Sequence, residues 1–423
     1  MLAHLIQGIG EALYKAGWYA WVQALGHFAG TLGAPSTILG LALVIGTFFL
    51  VIFYLQKLPL PNALNGAKLW AGQAVILGVA GILLGRLPSW VADLPLKLLT
   101  TYDRLTISLM FGASLLVAGL LEFLIKNRKL RIALLSLIIA LAVGQQFMSA
   151  NDFRRDWTYQ RNLAWQLSWR IPAMEPGTLL LTHQLPMASE SDLNYTAALN
   201  WIYAPDFAPP DDMPYVILST IKRLDGPSLP ALEPDIPIHV PYRTVSFRGS
   251  TSDAIVIYAP TAGCLRVLDP VYANSETYNK ESDYLTDAIC LSDPSHILTE
   301  APPPVVPASL FGAEPEHTWC YFYTKAELAR QTGNWKEVAS LGNEASQQGY
   351  TPVDAFEWLP FIEGYAYTGN PEIAKELSRN AIKKEPRLRK GLCILWERVN
   401  INSSEISVQE TALRLKDELN CAP

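Results

Sequence analysis

The chain has 423 residues, enough for two or three domains of ordinary size. Its net charge of −6 argues against a nucleic-acid partner, because neutralising phosphates requires clustered Lys and Arg. Only 17% of the residues are charged, and the apolar residues are concentrated in the first 150. The composition therefore predicts a membrane domain over 1–150 followed by water-soluble domains.

The first thirty residues lack the charged, apolar and small-residue regions of a cleavable signal peptide. They are rich in aromatic side chains, which include Tyr14, Trp18, Tyr19 and Trp21. Amphipathic aromatic rings concentrate at the bilayer surface. This segment is therefore predicted to form an interfacial helix.

Four apolar segments have the length needed to cross a bilayer, about twenty residues. They cover 36–56, 69–86, 105–125 and 132–150. A buried helix of a soluble protein can imitate one such segment, but four in succession predict a membrane α-helical bundle. Glycines at 78, 81 and 85 in the second segment, and Gly112, Ser114 and Ala118 in the third, predict close helix packing.

The short connections between these segments differ in charge. The third, "KNRKLR" (126–131), contains four basic residues and no acid, and the first contains Lys57 and Lys68. By the positive-inside rule both lie in the cytoplasm. Residues 86–104 and all residues after 150 are then extracytoplasmic, as is the N-terminus. An N-terminus outside would suit the C-terminal part of a longer membrane protein, or a chain that works beside a separate N-terminal membrane part.

The second connection ends in Tyr102, Asp103 and Arg104, directly before the third segment. The guanidinium of Arg104 is suited to a lipid phosphate, since it offers a planar fork of donors. These three residues are a candidate lipid-headgroup site, with membrane lipids as the partner. In the alternative, the Asp–Arg pair only anchors the segment, and Asp103 caps the N-terminus of its helix.

The region 151–295 alternates strand and helix patterns and predicts a small α/β or α+β domain. An aromatic helix over 154–172 leads into a buried strand at 177–186, a helix at 195–205 and a strand at 213–220. Three further strands follow, at 243–250, 253–260 and 264–270. A Pro-rich linker, 296–316, separates this domain from the C-terminal region.

The C-terminal region, 317–423, contains an internal repeat. "TGN" occurs at 332–334 and at 368–370, and "GYAYTGNPEIAKELSRNAIKKEP" (364–386) resembles a tetratricopeptide repeat (TPR). An earlier copy covers 325–349, and a further helix at 388–398 would cap the module. Paired helices of this kind generally form a protein-binding surface. Candidate groove residues are Trp319, Tyr323, Trp335 and Trp358, although core packing at helical spacing also explains them.

All five cysteines lie in the soluble region, and none forms a CxxC motif. Their odd number excludes complete intramolecular pairing. The favoured disulfide is Cys264–Cys290. The alternative is five partly buried free thiols.

Catalytic motifs are absent from the sequence, including GxxxxGK[ST], GxGxxG, GxSxG and HExxH. The six histidines show no metal-ligand spacing. His183 follows a predicted strand, where ligands often bind in α/β sheets, but an ordinary loop histidine is the favoured interpretation. No catalytic residue, metal ligand or cofactor is assigned.

The layout resembles the C-terminal part of the GT-C superfamily, polytopic glycosyltransferases that use lipid-linked sugars. "EPGTLLLTHQLP" and the aromatic helix before it are similar to the start of the extracytoplasmic domain of that superfamily. The run from "YDRLTISLMFGASLL" through "WCYFYTKAELARQ" resembles uncharacterised bacterial membrane proteins with a TPR-like tail. The acidic residue that GT-C enzymes use in their first outward loop has no match here, since the N-terminal region offers only Glu11.

Two functions follow from these observations. The first is a multi-pass protein of the bacterial cell membrane that displays its C-terminal domains outside the cytoplasm, for protein interaction or cell-envelope assembly, without a complete active site. The alternative is the C-terminal section of a GT-C-like glycosyltransferase that uses a polyprenyl-phosphate-linked sugar.

Overall fold

The computed structural model describes residues 2–23, 33–58, 64–98, 103–187, 191–208, 212–272 and 287–421. The chain divides into two compact units, Met1–Asp156 and Trp157–Pro423. Helices account for 65% of the structure, and the remainder includes a small mixed sheet.

The first unit is helical. Its helices are α1 (Leu2–Tyr14), α2 (Pro35–Lys57), α3 (Leu64–Val91), α4 (Ile107–Leu124) and α5 (Arg128–Arg170), the last of which continues into the second unit. A π-helical turn, Lys15–Tyr19, extends α1, and a single 3₁₀ turn, Asp103–Thr106, precedes α4. Among the described residues, four helical segments are long and apolar enough to cross a membrane: Pro35–Lys57, Lys68–Val91, Arg104–Leu124 and Arg128–Arg170. They coincide with the four segments predicted from hydropathy.

Helices α3 and α4 pack with their backbones in contact. A Cβ atom added at Gly78, Gly85 or Gly112 would lie within 2.6 Å of a backbone atom of the opposite helix. No side chain fits at that distance, so glycine is required at these positions. The predicted small-residue face of α3 is confirmed. On α4 the contact face contains Gly112 and Gly119, whereas Ser114 is exposed.

Helix α1 packs along this helix pair. Its Ala12 is fully buried. A Cβ at Gly8 would lie 3.0 Å from Nε1 of Trp90 on α3, and a Cβ at Gly17 would lie 3.9 Å from Leu116 on α4. The N-terminal segment thus contributes to the core of the first unit, while its rings Tyr14, Trp18 and Tyr19 remain exposed.

The second unit contains a four-stranded sheet and a β-hairpin. The secondary structure runs β1 (Leu179–Thr182), α6 (Asp192–Tyr203), β2 (Val216–Ser219), α7 (Thr220–Arg223), the hairpin strands β3 (Pro237–Tyr242) and β4 (Val245–Ser250), β5 (Ala254–Tyr258) and β6 (Arg266–Val267). The sheet order is β2-β1-β5-β6, with β1 parallel to β2 and β5, and β6 antiparallel to β5. The five predicted strands and the predicted helix are present, and β3 is an additional strand.

The sheet is buried on both faces, which explains its continuous apolar strands. Leu180, Ile217 and Ile255 pack in one hydrophobic cluster with residues of α5 and α6. Leu179 and Val256 belong to a second cluster that extends into the C-terminal helices. The sheet and the C-terminal helices therefore share one core.

The C-terminal helices form three consecutive pairs. After the short α8 (Ala308–Phe311) come α9 (Trp319–Gln331) and α10 (Trp335–Gln347), α11 (Leu359–Tyr367) and α12 (Pro371–Lys384), and α13 (Arg389–Asn402) and α14 (Ile406–Glu418). The two "TGN" sequences form the same turn within the first two pairs. Gly333 and Gly369 adopt positive φ angles of 68° and 74°, a conformation that glycine reaches without a Cβ clash. The region after 388 contains two helices rather than the single expected one.

The Pro-rich segment 296–316 is held against the end of α5 that lies in the second unit. The ring of Trp157 stacks on Phe311, and Nε of Arg161 donates to the Phe311 carbonyl oxygen at 2.9 Å. Nε1 of Trp169 donates to Oε1 of Glu314 at 2.8 Å. The segment therefore packs on the second unit.

Two disulfides are present, and they differ from the pairing favoured by the sequence. Cys264 bonds to Cys320, and Cys393 bonds to Cys421, with Cα–Cα distances of 5.2 Å and 5.7 Å. Cys290 is free and exposed. The predicted Cys264–Cys290 bond is wrong, because the fold packs Cys264 against Cys320 at the start of α9.

We expect Gly112→Val to separate α3 from α4, because the added side chain overlaps backbone atoms. Overpacking of this kind costs about 1–3 kcal/mol or more. Thermal unfolding of the detergent-solubilised protein, followed by circular dichroism, measures the loss. Gly72→Val is the matched control, since a Cβ at Gly72 of α3 has no neighbour within 4 Å. An equal effect of both substitutions would contradict close packing at Gly112.

Candidate functional site

An aromatic groove lies on the C-terminal helices. It encloses about 180 Å³ and is bounded by α10, α11, α12 and the start of α9. Its lining residues are Trp319, Gly342, Ser346, Gly349, Tyr350, Thr351, Trp358, Phe361, Tyr365, Ile373 and Leu377. The lining is mostly apolar and aromatic, a composition typical of sites that bind peptide side chains. We call it the tryptophan groove.

Two indole rings form one wall of this groove. Trp319 and Trp358 are in edge-to-face contact, with ring centroids 5.2 Å apart and an interplanar angle of 67°. Trp319 is buried, and its Nε1 donates to Oε2 of Glu357 at 2.7 Å. Trp358 is half-buried and therefore accessible from the groove. The wall is rigid because Trp319 is held by packing and by a hydrogen bond.

The other two predicted groove residues lie elsewhere. Tyr323 is 3% exposed and lines a separate small cavity beside Arg266 and Arg330. Trp335 stacks on Tyr367, with centroids 4.5 Å apart, and does not line the groove. The structure thus brings together two of the four residues selected from the sequence. The other two fit the alternative of ordinary packing.

A buried carboxylate beneath the groove connects the sheet to the helices. Glu357 is fully buried, and its Oε1 accepts a hydrogen bond from the backbone N–H of Cys264 at 2.6 Å. The guanidinium of Arg266 lies 3.7 Å from the same oxygen and also pairs with Asp354. Burial raises the pKa of Glu357, and Arg266 and the backbone hydrogen bond oppose that rise. Glu357 thereby joins β6, the Cys264 loop and Trp319.

A second buried carboxylate joins three helices. Glu363 on α11 accepts hydrogen bonds from Nε of Arg330 on α9 at 2.8 Å and from Nε of Arg398 on α13 at 2.6 Å. Both guanidinium groups lie over the ring of Tyr272, at 4.1 Å and 4.8 Å from its centroid. One carboxylate and one ring therefore hold two cations in place.

The end of α5 lies close to this network. Arg170 is 2% exposed and lies near Glu327, Tyr323 and Asp269. Burial raises the pKa of Asp269. The neighbouring cavity of about 10 Å³ has room for about one water molecule. Arg330 is paired with Glu363 and Glu327, whereas Nε and Nη1 of Arg170 are buried without a hydrogen-bond partner in the part of the chain that the structure describes.

The C-terminal edge of the parallel strands carries a smaller polar cluster. Nδ1 of His183, after β1, lies 2.9 Å from Oγ1 of Thr220, after β2. The carboxylate of Asp192 is held by Nε and Nη2 of Arg223 at 2.6 Å and 2.8 Å. His183 therefore takes part in hydrogen bonds that join two strand ends.

The candidate lipid-headgroup residues are only partly covered by the structure. Tyr102 lies outside the described residues, and so does the side chain of Asp103. Arg104 is exposed, on the turn before α4. Helix α4 begins after Thr106, which makes no side-chain cap hydrogen bond.

Glu357 and Glu363 are the polar residues that sequence reasoning missed. Each is an acid within an apolar run, "AFEW" and "LPFIEGYAY". Such an acid is buried only when it is paired, so the pattern could have indicated buried ion pairs. No cluster of three or more metal-binding side chains occurs among the described residues.

Comparisons of the chain with protein-family models, with curated proteins and with solved structures found no match.

We expect Glu363→Gln to destabilise the protein by about 3 kcal/mol, because it removes the charge shared by the buried Arg330 and the partly buried Arg398. Thermal unfolding followed by near-UV circular dichroism measures the effect. Glu372→Gln is the control, because the Glu372 side chain on α12 is 75% exposed. It should change the stability by less than about 0.5 kcal/mol. Equal unfolding midpoints for the two variants would refute the junction.

Proposed function

We propose that the protein is a multi-pass membrane protein that presents its second unit outside the cytoplasm and binds a protein partner in the tryptophan groove. The observation that carries the proposal is the rigid wall of Trp319 and Trp358 beside an accessible cavity of about 180 Å³. Four helices of membrane-spanning length provide the anchor.

Two independent features support this orientation. The connection between α4 and α5 is basic: Arg131 pairs with Glu122 at 2.9 Å, and Lys126, Arg128 and Lys129 remain in excess. Positive charge of this kind favours the cytoplasmic side. The second unit contains two disulfides, which form in oxidising compartments outside the cytoplasm. Both features favour the same side for the second unit.

The helix pairs support a binding role. Their equivalent "TGN" turns, 36 residues apart in the sequence, are typical of TPR-like repeats. Stacked pairs of this type form surfaces that bind extended or helical segments of other proteins. Aromatic residues in a desolvated pocket contribute most of the affinity of such interfaces. The tryptophan groove has that composition.

The alternative, a section of a GT-C-like glycosyltransferase, would be favoured by a membrane-surface cavity lined by both an acidic residue and Arg104. The cavity beside α1 and α3 is lined by Arg86, and neither Arg104 nor an acidic residue lines it. Protein binding is therefore the function that the described residues support better.

The orientation can be tested with Cys290, the free and exposed cysteine. A membrane-impermeant maleimide should label intact spheroplasts that express the protein, and Cys290→Ser should abolish the labelling. The four disulfide-bonded cysteines do not react with maleimide, so any labelling reports on Cys290. Labelling that requires permeabilised membranes would place the second unit in the cytoplasm and refute the proposal.

The groove can be tested with a displayed library of random peptides selected on the detergent-solubilised protein. We expect Trp358→Ala to weaken the selected peptides by about 30-fold, because a central aromatic residue contributes about 2 kcal/mol or more. Trp335→Ala is the matched control, since Trp335 lies outside the groove. Peptides that bind Trp358→Ala as tightly as the unmodified protein would contradict the groove as the binding site.

A further inference from the structure

Arg86 is a buried cation near the C-terminal end of α3. It is 7% exposed, and its Nη1 donates to Oγ of Ser89 at 2.7 Å and to the Leu94 carbonyl oxygen at 3.0 Å. Its Nη2 lies 3.8 Å from Oε2 of Glu11, beyond hydrogen-bond distance. Its Nε has no hydrogen-bond partner within the described ranges. The guanidinium therefore has hydrogen-bonding capacity that these protein groups do not use.

Helix α1 and the turn after it bring a second cation to the same place. Nζ of Lys15 donates to Oε1 of Glu11 at 2.7 Å and also to the carbonyl oxygen of Leu96. Glu11 thus pairs with Lys15 and lies within ion-pair distance of Arg86. The three side chains carry a net charge of +1, which favours an anionic ligand.

An apolar cavity of about 130 Å³ has Arg86 among its lining residues. Its other lining residues are Gly8, Ile9, Leu83, Leu87 and Trp90. The indole ring of Trp90 lies over Gly8, where a Cβ would be only 3.0 Å from Nε1. Leu87 is 49% exposed, so the cavity is accessible from outside the helices on that side. One site therefore offers a cation and an apolar cavity side by side.

The position of the site indicates which ligand has both properties. Arg86 and Trp90 lie in the last turns of a candidate membrane span, Lys68–Val91. Tryptophan is enriched at the level of lipid headgroups, and a guanidinium matches the geometry of a phosphate. We propose that this site binds one anionic phospholipid, with its phosphate at Arg86 and Lys15 and an acyl chain in the cavity. This inference rests on the proposed membrane placement.

The site differs from the Tyr102–Asp103–Arg104 site suggested by the sequence. Arg104 is exposed and does not line the cavity. A soluble phosphate would use only the cations, because the remainder of the lining offers it no hydrogen bonds apart from the indole N–H. A phospholipid uses both parts of the site, which is why the lipid is favoured over free phosphate.

The experiment is native mass spectrometry of the full-length protein in detergent, titrated with phosphatidylglycerol or with phosphatidylcholine. We expect one phosphatidylglycerol to be retained, and phosphatidylcholine to bind more weakly. Arg86→Gln should weaken phosphatidylglycerol binding about tenfold through the loss of charge-assisted hydrogen bonds. Leu87→Ala should weaken it about threefold through the loss of apolar contact. Lys97→Gln is the matched control, because Lys97 is an exposed cation that does not line the cavity, and it should bind phosphatidylglycerol like the unmodified protein.

Three results would overturn the proposal. The first is unchanged phosphatidylglycerol binding in Arg86→Gln and Leu87→Ala, and the second is equal retention of phosphatidylcholine. The third is displacement of the lipid by millimolar inorganic phosphate, which would make this a free-phosphate site. If circular dichroism shows that Arg86→Gln is not folded, Leu87→Ala and Lys15→Gln provide the test.

Membrane insertion is measured separately by resistance to alkaline extraction. Failure of the membrane proposal and failure of lipid binding are therefore distinguishable.

Discussion

The buried carboxylate of Glu357 is the contact on which the second unit most depends. Its two oxygens accept hydrogen bonds from Trp319 and from the backbone of Cys264, and Arg266 supplies the opposite charge. An ionised group at 0% exposure is costly unless several partners compensate it. Arg266 lies on β6, Cys264 in the loop between β5 and β6, and Trp319 at the start of α9. The carboxylate therefore holds these three elements in one arrangement. The Cys264–Cys320 disulfide connects the loop and α9 at the same point.

This arrangement determines the shape of the tryptophan groove. Trp319 is held by Glu357, and Trp358 follows Glu357 directly in the chain. Trp358 lines the groove, and the adjacent Glu357 is buried beneath it. The position of Trp358 therefore depends on the ion pair between Glu357 and Arg266, which does not line the groove. Glu363 on α11 is a second buried carboxylate of this kind. It holds α9 and α13 against α11 through hydrogen bonds from Arg330 and Arg398. The helix pairs and the sheet therefore form one core, and the tryptophan groove is built on that core.

The packing of the first unit depends on a different constraint, the lack of a side chain at the glycines between α3 and α4. Gly78, Gly85 and Gly112 allow α3 and α4 to approach until their backbones are in contact. Dispersion contacts over that surface hold the two helices together. Helix α1 then packs on this pair and places Glu11 and Lys15 beside Arg86. The proposed lipid site depends on this packing, because its charges come from two helices that are far apart in sequence.

The sequence by itself determined the elements: the four long apolar helices, the apolar strands and the repeated "TGN" turns. These follow from local rules, since hydropathy, strand patterning and the special conformation of glycine act over a few residues. Only the tertiary structure decided which distant residues meet. It paired Cys264 with Cys320 rather than with Cys290, placed Trp335 outside the groove, and brought Arg86 to Glu11. The physical reason is that burial and charge pairing depend on contacts between elements, and the pattern within one element does not specify those contacts.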